Sequence, residues 1–431
     1  MFTNSAKCPD GGIGRRAGLK HQWGNTCAGS TPALGTKPRS QGLRGFFFYP
    51  YRIFWLNVKS RLFCIFRVTG TKLACVFASC GAQHYAKIFA RIIPNEEILI
   101  STLTLQEAKD SSAVENIVTT HDELYKADLN VKDYIVSAST KEVLNYREAI
   151  KKGFHLVRDK GILTNGIIKQ VQEQLEGNKA GFRVNPGTSL KDVNKNIIYV
   201  PPQDATIIKD LMSNLELFIN DDTISDLDPL IKTAIIHHQF ESIHPFYDGN
   251  GRTGRIIIIL YLVANNLLDL PILYLSRYIT RNKGEYYSLL QAIRDKKGDN
   301  SENWRNWIMF ILKGIEDTAL NTIRMIKEID ILMREYKNVL RPLFGKLYKH
   351  ELLNNLFFHP YTKIEFIERD MQVTRNTASK YLNMIVNTGL VEKVKVGKTN
   401  YYFNTKLIDL FLNHNATEKA NVESIESVLE I

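Results

Sequence analysis

The stretch HPFYDGNGRTGR, His244 to Arg255, decides how this chain is read. It sets a histidine, an aspartate, an asparagine, two arginines and three glycines between two apolar segments. DPLIKTAIIHHQFESI precedes it and IIIILYLVANNLLDL follows it, and each is long enough to be a core helix. A loop ending in GNGRTGR and running straight into a helix places unpaired backbone N–H groups at a helix N-terminus, where the helix dipole adds positive character. Gly249 and Gly251 let the backbone approach an anion closely. Arg252 and Arg255, three apart, leave the first turn on neighbouring faces and suit phosphate oxygens. Asp248 offers a hard carboxylate oxygen of the kind Mg²⁺ takes beside phosphates. His244 is the nearby side chain that moves a proton at neutral pH. Pro245 and Phe246 lock the turn and anchor it. The residue types predict chemistry on a nucleotide phosphate. No G-x-x-x-x-G-K-[ST] loop is present, so the pattern is not that of a Walker A nucleotide site.

Working outward, charge divides the 431 residues. Residues 1–95 hold 14 Lys and Arg but a single acid, Asp10, which leaves 42 basic and 44 acidic residues beyond. The net charge of +11 therefore belongs to the leader, and the body has no long-range attraction for nucleic acid. All five cysteines lie at or before Cys80, so the rest holds no disulfide or cysteine–zinc site, as expected of a cytoplasmic protein. The run FFFYPYRIFWLNVKSRLFCIF is broken by Arg52, Lys59 and Arg61 and falls short of the ~20 apolar residues of a membrane span. Residues 1–90 read as an unstructured leader. AGSTPA, Ala28–Ala33, can be encoded by a string with complementary ends, like the T-arm of a transfer-RNA gene. That raises mis-translated upstream sequence as one origin of the leader, with a basic tail as the other.

Past Pro94 a helical period sets in, with Leu103, Ala108, Val114, Ile117 and Val118 spaced for one apolar face. Thr140–Gly161 and Thr164–Gly177 read as helices closed by their glycines. GFRVNPGTSLKDVNKNIIYVPP changes texture and reads as a hairpin-like flap. Helix resumes at Asp204 and continues to about residue 337, with Pro271 ending the helix that follows the opening motif. HELLNNLFFH, TKIEFIERD and TRNTASKYLNMIVNTGL read as three short helices, with Thr374 an N-cap and Gly389 a stop. VEKVKVGKTNYYFN reads as a two-stranded wing turning at Gly397–Lys398. The expected architecture is mainly α: a helical catalytic domain over 95–337 with a β-hairpin flap, a winged helix-turn-helix over 342–412 and a tail over 413–431.

HPFYDGNGRTGR resembles the signature of the Fic (Fido) family, H-P-F-x-D/E-G-N-G-R-x-x-R, at every defined position. YVPP at the flap's end and YYSLLQAIRDKKGDNSENWRNWIMF after the core extend the likeness over about 95–335. The resemblance implies a Fic-type helical core and a protein adenylyltransferase, moving AMP from ATP to a Ser, Thr or Tyr hydroxyl of a target protein. His244 is then the catalytic base and Asp248 the Mg²⁺ ligand. Gly249, Asn250, Gly251, Arg252, Thr253, Gly254 and Arg255 form the nucleotide-binding loop, Asn250 fixing it and the arginines neutralising the departing charge. Tyr287 is a looser match for a nucleoside contact and reads equally as one more helix aromatic. The flap, Val184–Pro201, is expected to clamp the target by main-chain pairing.

SSAVEN, Ser111–Asn116, resembles the family's inhibitory motif, [S/T]-x-x-x-E-[G/N], at Ser111, Glu115 and Asn116. Its position implies an N-terminal inhibitory helix over about 105–120, with Glu115 taking the Arg255 guanidinium from the nucleotide. In some relatives the corresponding glutamate positions water to remove AMP, so a de-AMPylase is an alternative. A phosphotransferase is another, although kinase-like relatives carry Lys where this chain has Gly251. A regulator acting through the winged helix is a third, with Arg375, Asn376, Ser379 and Lys380 on its recognition helix. The partners expected are a target at the flap, a second copy in a homodimer, and DNA or protein at the winged helix, with no membrane.

Overall fold

The computed structural model describes residues 90–413 except 94, 121–122, 125–126, 128–135, 193, 296–297, 359 and 397–398. The leader, the tail and the Gly397–Lys398 turn lie outside the described residues.

Two helices make the centre. α5, Pro229–Ile243, starts at Asp228, whose carboxylate accepts from Leu230 N, with Pro229 in the first turn. α6, Asn250–Ala264, carries the IIIILYLV run. Both are buried on nearly every face, so neither shows an amphipathic stripe. They pack on each other, and the opening motif is the turn between them. α2, Ala138–Lys160, and α3, Asn165–Glu176, lie against α6. A side chain at Gly153 of α2 would sit 2.7 Å from Leu260 and 2.9 Å from Val171, so the missing Cβ is what lets these helices close up. Gly161 and Gly177 end α2 and α3 in the left-handed conformation, as the sequence predicts.

α1, Glu96–Val114, is capped by Asn95 and packs against α2. The predicted span of 105–120 needs correction at both ends. The helix starts nine residues earlier and stops at Val114, with Glu115 as its C-cap. Ile117 and Val118 lie outside it, and Val118 is exposed.

The flap is a short antiparallel hairpin. β1, Leu190–Lys191, pairs with β2, Ile197–Tyr199, and Asp192 ties the turn by accepting from Asn194 N and Asn196 N. α4, Ala205–Asn220, follows. α7, Leu275–Arg281, packs against α1, and α8, Lys283–Asp295, against the long helix that follows it. α6 ends at Ala264 with Asn265 as cap, so Pro271 lies beyond the helix rather than ending it.

α9, Ser301–Phe344, is a single helix that runs through the expected boundary at 337–342, with Pro342 in its last turn. Trp307 Nε1 donates to Ala234 O of α5, and Tyr336 Oη meets Asn404 at 2.6 Å. The same helix thus serves both the catalytic core and the C-terminal segment. That segment runs α10, His350–Phe358; β3, Tyr361–Lys363; α11, Ile364–Met371; α12, Arg375–Val386; then β4, Glu392–Val396, and β5, Thr399–Phe403, before α13, Thr405–Asn413. This is the element order of a winged helix, with one addition. The wing pair is joined by β3 in a three-stranded antiparallel sheet ordered β3–β5–β4. Thr374 caps α12 as predicted. α10 also packs against α1. No helix among the described residues is long and apolar enough to cross a membrane.

Candidate functional site

His244 is the C-cap of α5 and holds φ 50°, ψ 59°, a left-handed conformation that a non-glycine residue adopts at a cost. Its N–H donates to Phe240 O at 2.9 Å. Phe246, fully buried, packs its ring against Phe182 and Phe240. Asn250 closes the turn, because its Oδ1 accepts from Phe246 N at 2.8 Å and its Nδ2 donates to Phe246 O at 2.9 Å. A buried side-chain amide thereby satisfies both backbone polar groups of a buried residue, which ties the turn.

Gly249, at φ 75°, is the N-cap of α6, and no side chain caps the helix there. The N–H groups of its first turn have no acceptor within the helix, the arrangement that suits an anion. Asp248 is exposed beside it and accepts from Gly249 N at 2.7 Å through Oδ1, leaving Oδ2 for another partner. A single carboxylate at a phosphate cradle is how Mg²⁺ is commonly held, phosphates and water supplying its other ligands. Among the described residues no cluster of three or more acidic, His or Cys side chains could hold a metal without such help.

Burial pushes the His244 imidazole down to about 4, and the charges of Arg294 and Arg183 push the same way. The ring is therefore neutral at pH 7 and able to accept a proton. Its Nδ1 is buried.

Arg255 is buried and directed at the end of α1. Nε donates to Ser111 Oγ at 2.8 Å, and Nη2 donates to Ser111 O at 3.0 Å and Glu115 Oε1 at 2.9 Å. Glu115 is about one-third exposed. Burial pushes its carboxyl up, but the Arg255 charge and hydrogen bond, with Arg252 and Lys283 behind them, outweigh burial and hold it below the usual range. Asn116 follows at φ 63°, a conformation that Asn tolerates better than most residues, and accepts from Lys283 Nζ at 2.9 Å. The structure thus brings Ser111 and Glu115 to Arg255 of the loop and Asn116 to Lys283 of α8, and Glu115 lies directly over Gly251.

Arg252 goes elsewhere. Nη1 donates to Glu142 at 2.8 Å and Nη2 to Glu176 at 2.9 Å. Its guanidinium ties α6 to α2 and α3, where the sequence alone pairs it with Arg255 around phosphate. Thr253 and Gly254 are buried in the first turn, Gly254 packed against Glu241 and Phe240. Tyr287 is exposed at the rim and stacks edge-on to Tyr286. Its hydroxyl is pushed up by burial and then by the Glu115 charge.

Several residues of the site carry no signal in the sequence. Glu107 is buried in α1, accepts from Tyr146 Oη at 3.0 Å and Ser276 N at 3.2 Å, and is pushed up to about 8 by desolvation. It fastens the helix that presents Glu115. Arg183 and Arg294 both reach the turn at His244. Glu142 and Glu176 are two more acids on helix surfaces until the fold brings them to Arg252.

Residues 162–262 match the Fic/DOC family, residues 86–155 its N-terminal region, described as Fic/DOC family N-terminal, and residues 332–407 the protein adenylyltransferase SoFic-like C-terminal domain. The chain belongs to the Fic/DOC family. It is 28% identical over 205 residues to "Probable protein adenylyltransferase aq_aa38" of Aquifex aeolicus, covering 46% of this chain and 58% of that one. It is 24% identical over 128 residues to "Protein adenylyltransferase fic-1" of Caenorhabditis elegans, covering 29% and 22%. The chain thus spans just over half of the first relative's length and under a quarter of the second's. A solved Fic family protein from Desulfovibrio desulfuricans superposes over 78% of this chain and 96% of its own, at 18% identity and a TM-score of 0.47.

Proposed function

We propose that this chain is a protein adenylyltransferase that moves AMP from ATP to a hydroxyl side chain of a target protein, and that Glu115 restrains it. One observation carries the reading. A neutral, half-buried His244 ends the helix just before an uncapped helix N-terminus whose arginine, Arg255, is already held by an acid of the same chain. The base serves a hydroxyl nucleophile and the open helix end serves a phosphate, while the held arginine supplies the restraint. The relatives named protein adenylyltransferase support the choice of AMP as the transferred group.

In this reading the target's hydroxyl oxygen bonds to the α-phosphorus as its proton passes to His244 Nε2. The bond from that phosphorus to the bridging oxygen breaks, and pyrophosphate leaves. The N–H groups of the first α6 turn hold the phosphate oxygens. Arg252, spoken for by Glu142 and Glu176, keeps the loop in place, and Arg255 is the arginine left for the outer phosphates once Glu115 withdraws. Asp248 would hold Mg²⁺, which neutralises phosphate charge when bound. Val184, Ile197 and Val200 on the flap are exposed apolar side chains suited to a docked target segment. The regulator reading is weaker, because Arg375 of α12 already contacts Glu365 at 2.9 Å and Glu368 at 3.5 Å.

The test uses the Glu115→Gly protein, a host lysate and ATP labelled in either the α- or the γ-phosphate. Label entering protein from the α position alone is the expected result. Entry from the γ position would make this a phosphotransferase. No entry from either, with ATP bound, would overturn the reading, and loss of AMP from premodified protein in the wild type would favour the removal enzyme.

A further inference from the structure

We propose that Arg183, Tyr199 and Arg294 are positioning residues that seat His244 and weld the flap to it, so that target dock and base move as one body. The catalytic part of this inference rests on the adenylyltransferase reading above.

The last carbonyls of a helix lack acceptor roles within it and need outside donors. At the end of α5 every such group is met, and by an unusual set. Glu241 O accepts from Arg294 Nη2 at 3.0 Å, and Ser242 O accepts from Tyr199 Oη at 2.9 Å. Ile243 O accepts from Arg183 Nη2 at 3.4 Å, His244 O from Arg183 Nε at 2.8 Å, and Pro245 O from Arg183 N at 2.8 Å. Arg294 Nε also reaches Ser242 Oγ at 3.2 Å. Five consecutive carbonyls around the base are thus held by three side chains and one backbone N–H.

Their origins give the arrangement its meaning. Arg183 lies where the chain enters the flap, and Tyr199 lies in β2 of the flap itself. Arg183 also bonds Pro202 O, at the flap's exit. Arg294, on α8, lies with its guanidinium 4.3 Å from the Tyr199 ring centroid, a cation–π contact. Gln291 of the same helix donates to Ile198 O at 3.1 Å. The flap is therefore fastened at both ends and along β2 to the turn that carries the base. A target strand laid on β2 would be placed relative to His244 by this set of bonds.

The set answers two needs of that histidine. Its left-handed backbone persists only where neighbours over-determine it. Its ring must stay neutral, and the groups around it include Arg294 from α8, Arg183 from the flap, the Glu115 carboxylate after α1 and the backbone carbonyl of Glu241 in α5. The two cations favour the neutral ring, and the carboxylate and the carbonyl oppose them.

The experiment follows the His244 imidazole by NMR titration in the full chain, beside initial rates of AMP transfer in the Glu115→Gly background. Arg294→Gln should raise the imidazole midpoint by about one unit and lower kcat roughly 10-fold, less than the ~10²- to 10⁴-fold of full loss of a general base, with KM for ATP unchanged. Arg294→Lys should restore the midpoint, since the charge returns, but not the rate, since the two-point grip does not. A folded Arg294→Gln with midpoint and kcat unchanged overturns the proposal. Should that variant fail to fold, Tyr199→Phe decides instead: a lower kcat at constant KM for ATP supports the bracket, and an unchanged kcat sinks it. A shifted midpoint with no AMP transfer in any variant would leave the bracket standing and remove the adenylyltransferase reading.

Discussion

The Glu115 carboxylate occupies the space that a side chain on residue 251 would need: a Cβ built on Gly251 collides with Glu115 Oε1 and comes within 3.2 Å of Arg255 Nη1. Glycine at this position therefore leaves room for the acid. Gly251 sits in the first turn of α6 with an ordinary backbone, so alanine there is conformationally acceptable.

Gly251→Ala should accordingly destabilise the wild type, because the new methyl group pushes Glu115 off Arg255. The loss expected is about 1–2 kcal/mol, in the range for a hydrogen bond to a charged group. In the Glu115→Gly background the same change should be neutral, or stabilising by up to about 1 kcal/mol as glycine leaves a helix. Urea unfolding of the four proteins measures both. Equal costs in the two backgrounds would show that Glu115 does not occupy the cradle in solution.

His244→Ala should abolish transfer and leave ATP affinity close to wild type, since in the proposed function backbone N–H groups and Arg255, not the imidazole, hold the nucleotide. The fall expected is about 10²- to 10⁴-fold. Calorimetric titration with ATP beside the rate assay separates the two effects, and a rate equal to the parent protein's removes His244 from the mechanism.

The pH dependence follows from the same ring. Its midpoint is held at about 4, below the ordinary 6.5, by burial and then by Arg294 and Arg183. A base works unprotonated, so a lowered midpoint extends the active range toward acid. The stability sign agrees. The unfolded chain takes up a proton below 6.5 that the folded ring refuses, so this contribution is present above that pH and lost as pH falls toward 4. In the Glu115→Gly protein, kcat/KM should be flat from about pH 5.5 to 7.5. An acid limb centred near 6.5 would mean that the ring titrates as a free histidine.

Asn250→Ala should cost about 2–4 kcal/mol, because it strips both partners from the buried Phe246 peptide. Melting temperature reads the loss directly, and a shift of under a degree would show that water or another group replaces the amide.

What the sequence shows of this molecule is what neighbouring residues encode together. Helix stops at Gly161 and Gly177, the cap at Thr374, the turn at Phe246–Asn250 and the flap hairpin all rest on signals within a few positions. α1 was harder to bound, because Ser101, Thr102 and Thr104 are buried along with Leu99 and Leu103. A helix enclosed on all sides shows no stripe, and its start is marked only by Asn95. β3 is three residues long and forms because β5 is there to pair with it. The Glu115–Arg255 pair spans 140 positions, and its motif was readable only through the family likeness. Glu142 and Glu176 on Arg252, and Arg294 on the α5 terminus, have no local pattern at all. They are ordinary surface-type residues until tertiary packing sets them beside the loop.

The restraint itself is tested by a double-mutant cycle on that pair. Arg255 is buried and Glu115 is held below its usual range chiefly by Arg255 working against burial, so each side chain depends on the other. Glu115→Gly frees the guanidinium for the outer phosphates, and a charge-assisted pair worth about 1.5–3 kcal/mol converts to a gain of roughly 10- to 100-fold in initial rate. Arg255→Ala removes the group that was freed, so the double variant should fall back to or below the wild-type rate. The two effects cannot add if they act through one contact. Rates of the four proteins, with ATP affinity measured alongside, decide the matter. A double variant as fast as Glu115→Gly would mean that Arg255 is not what the acid withholds. An unchanged rate in Glu115→Gly would mean that the acid withholds nothing.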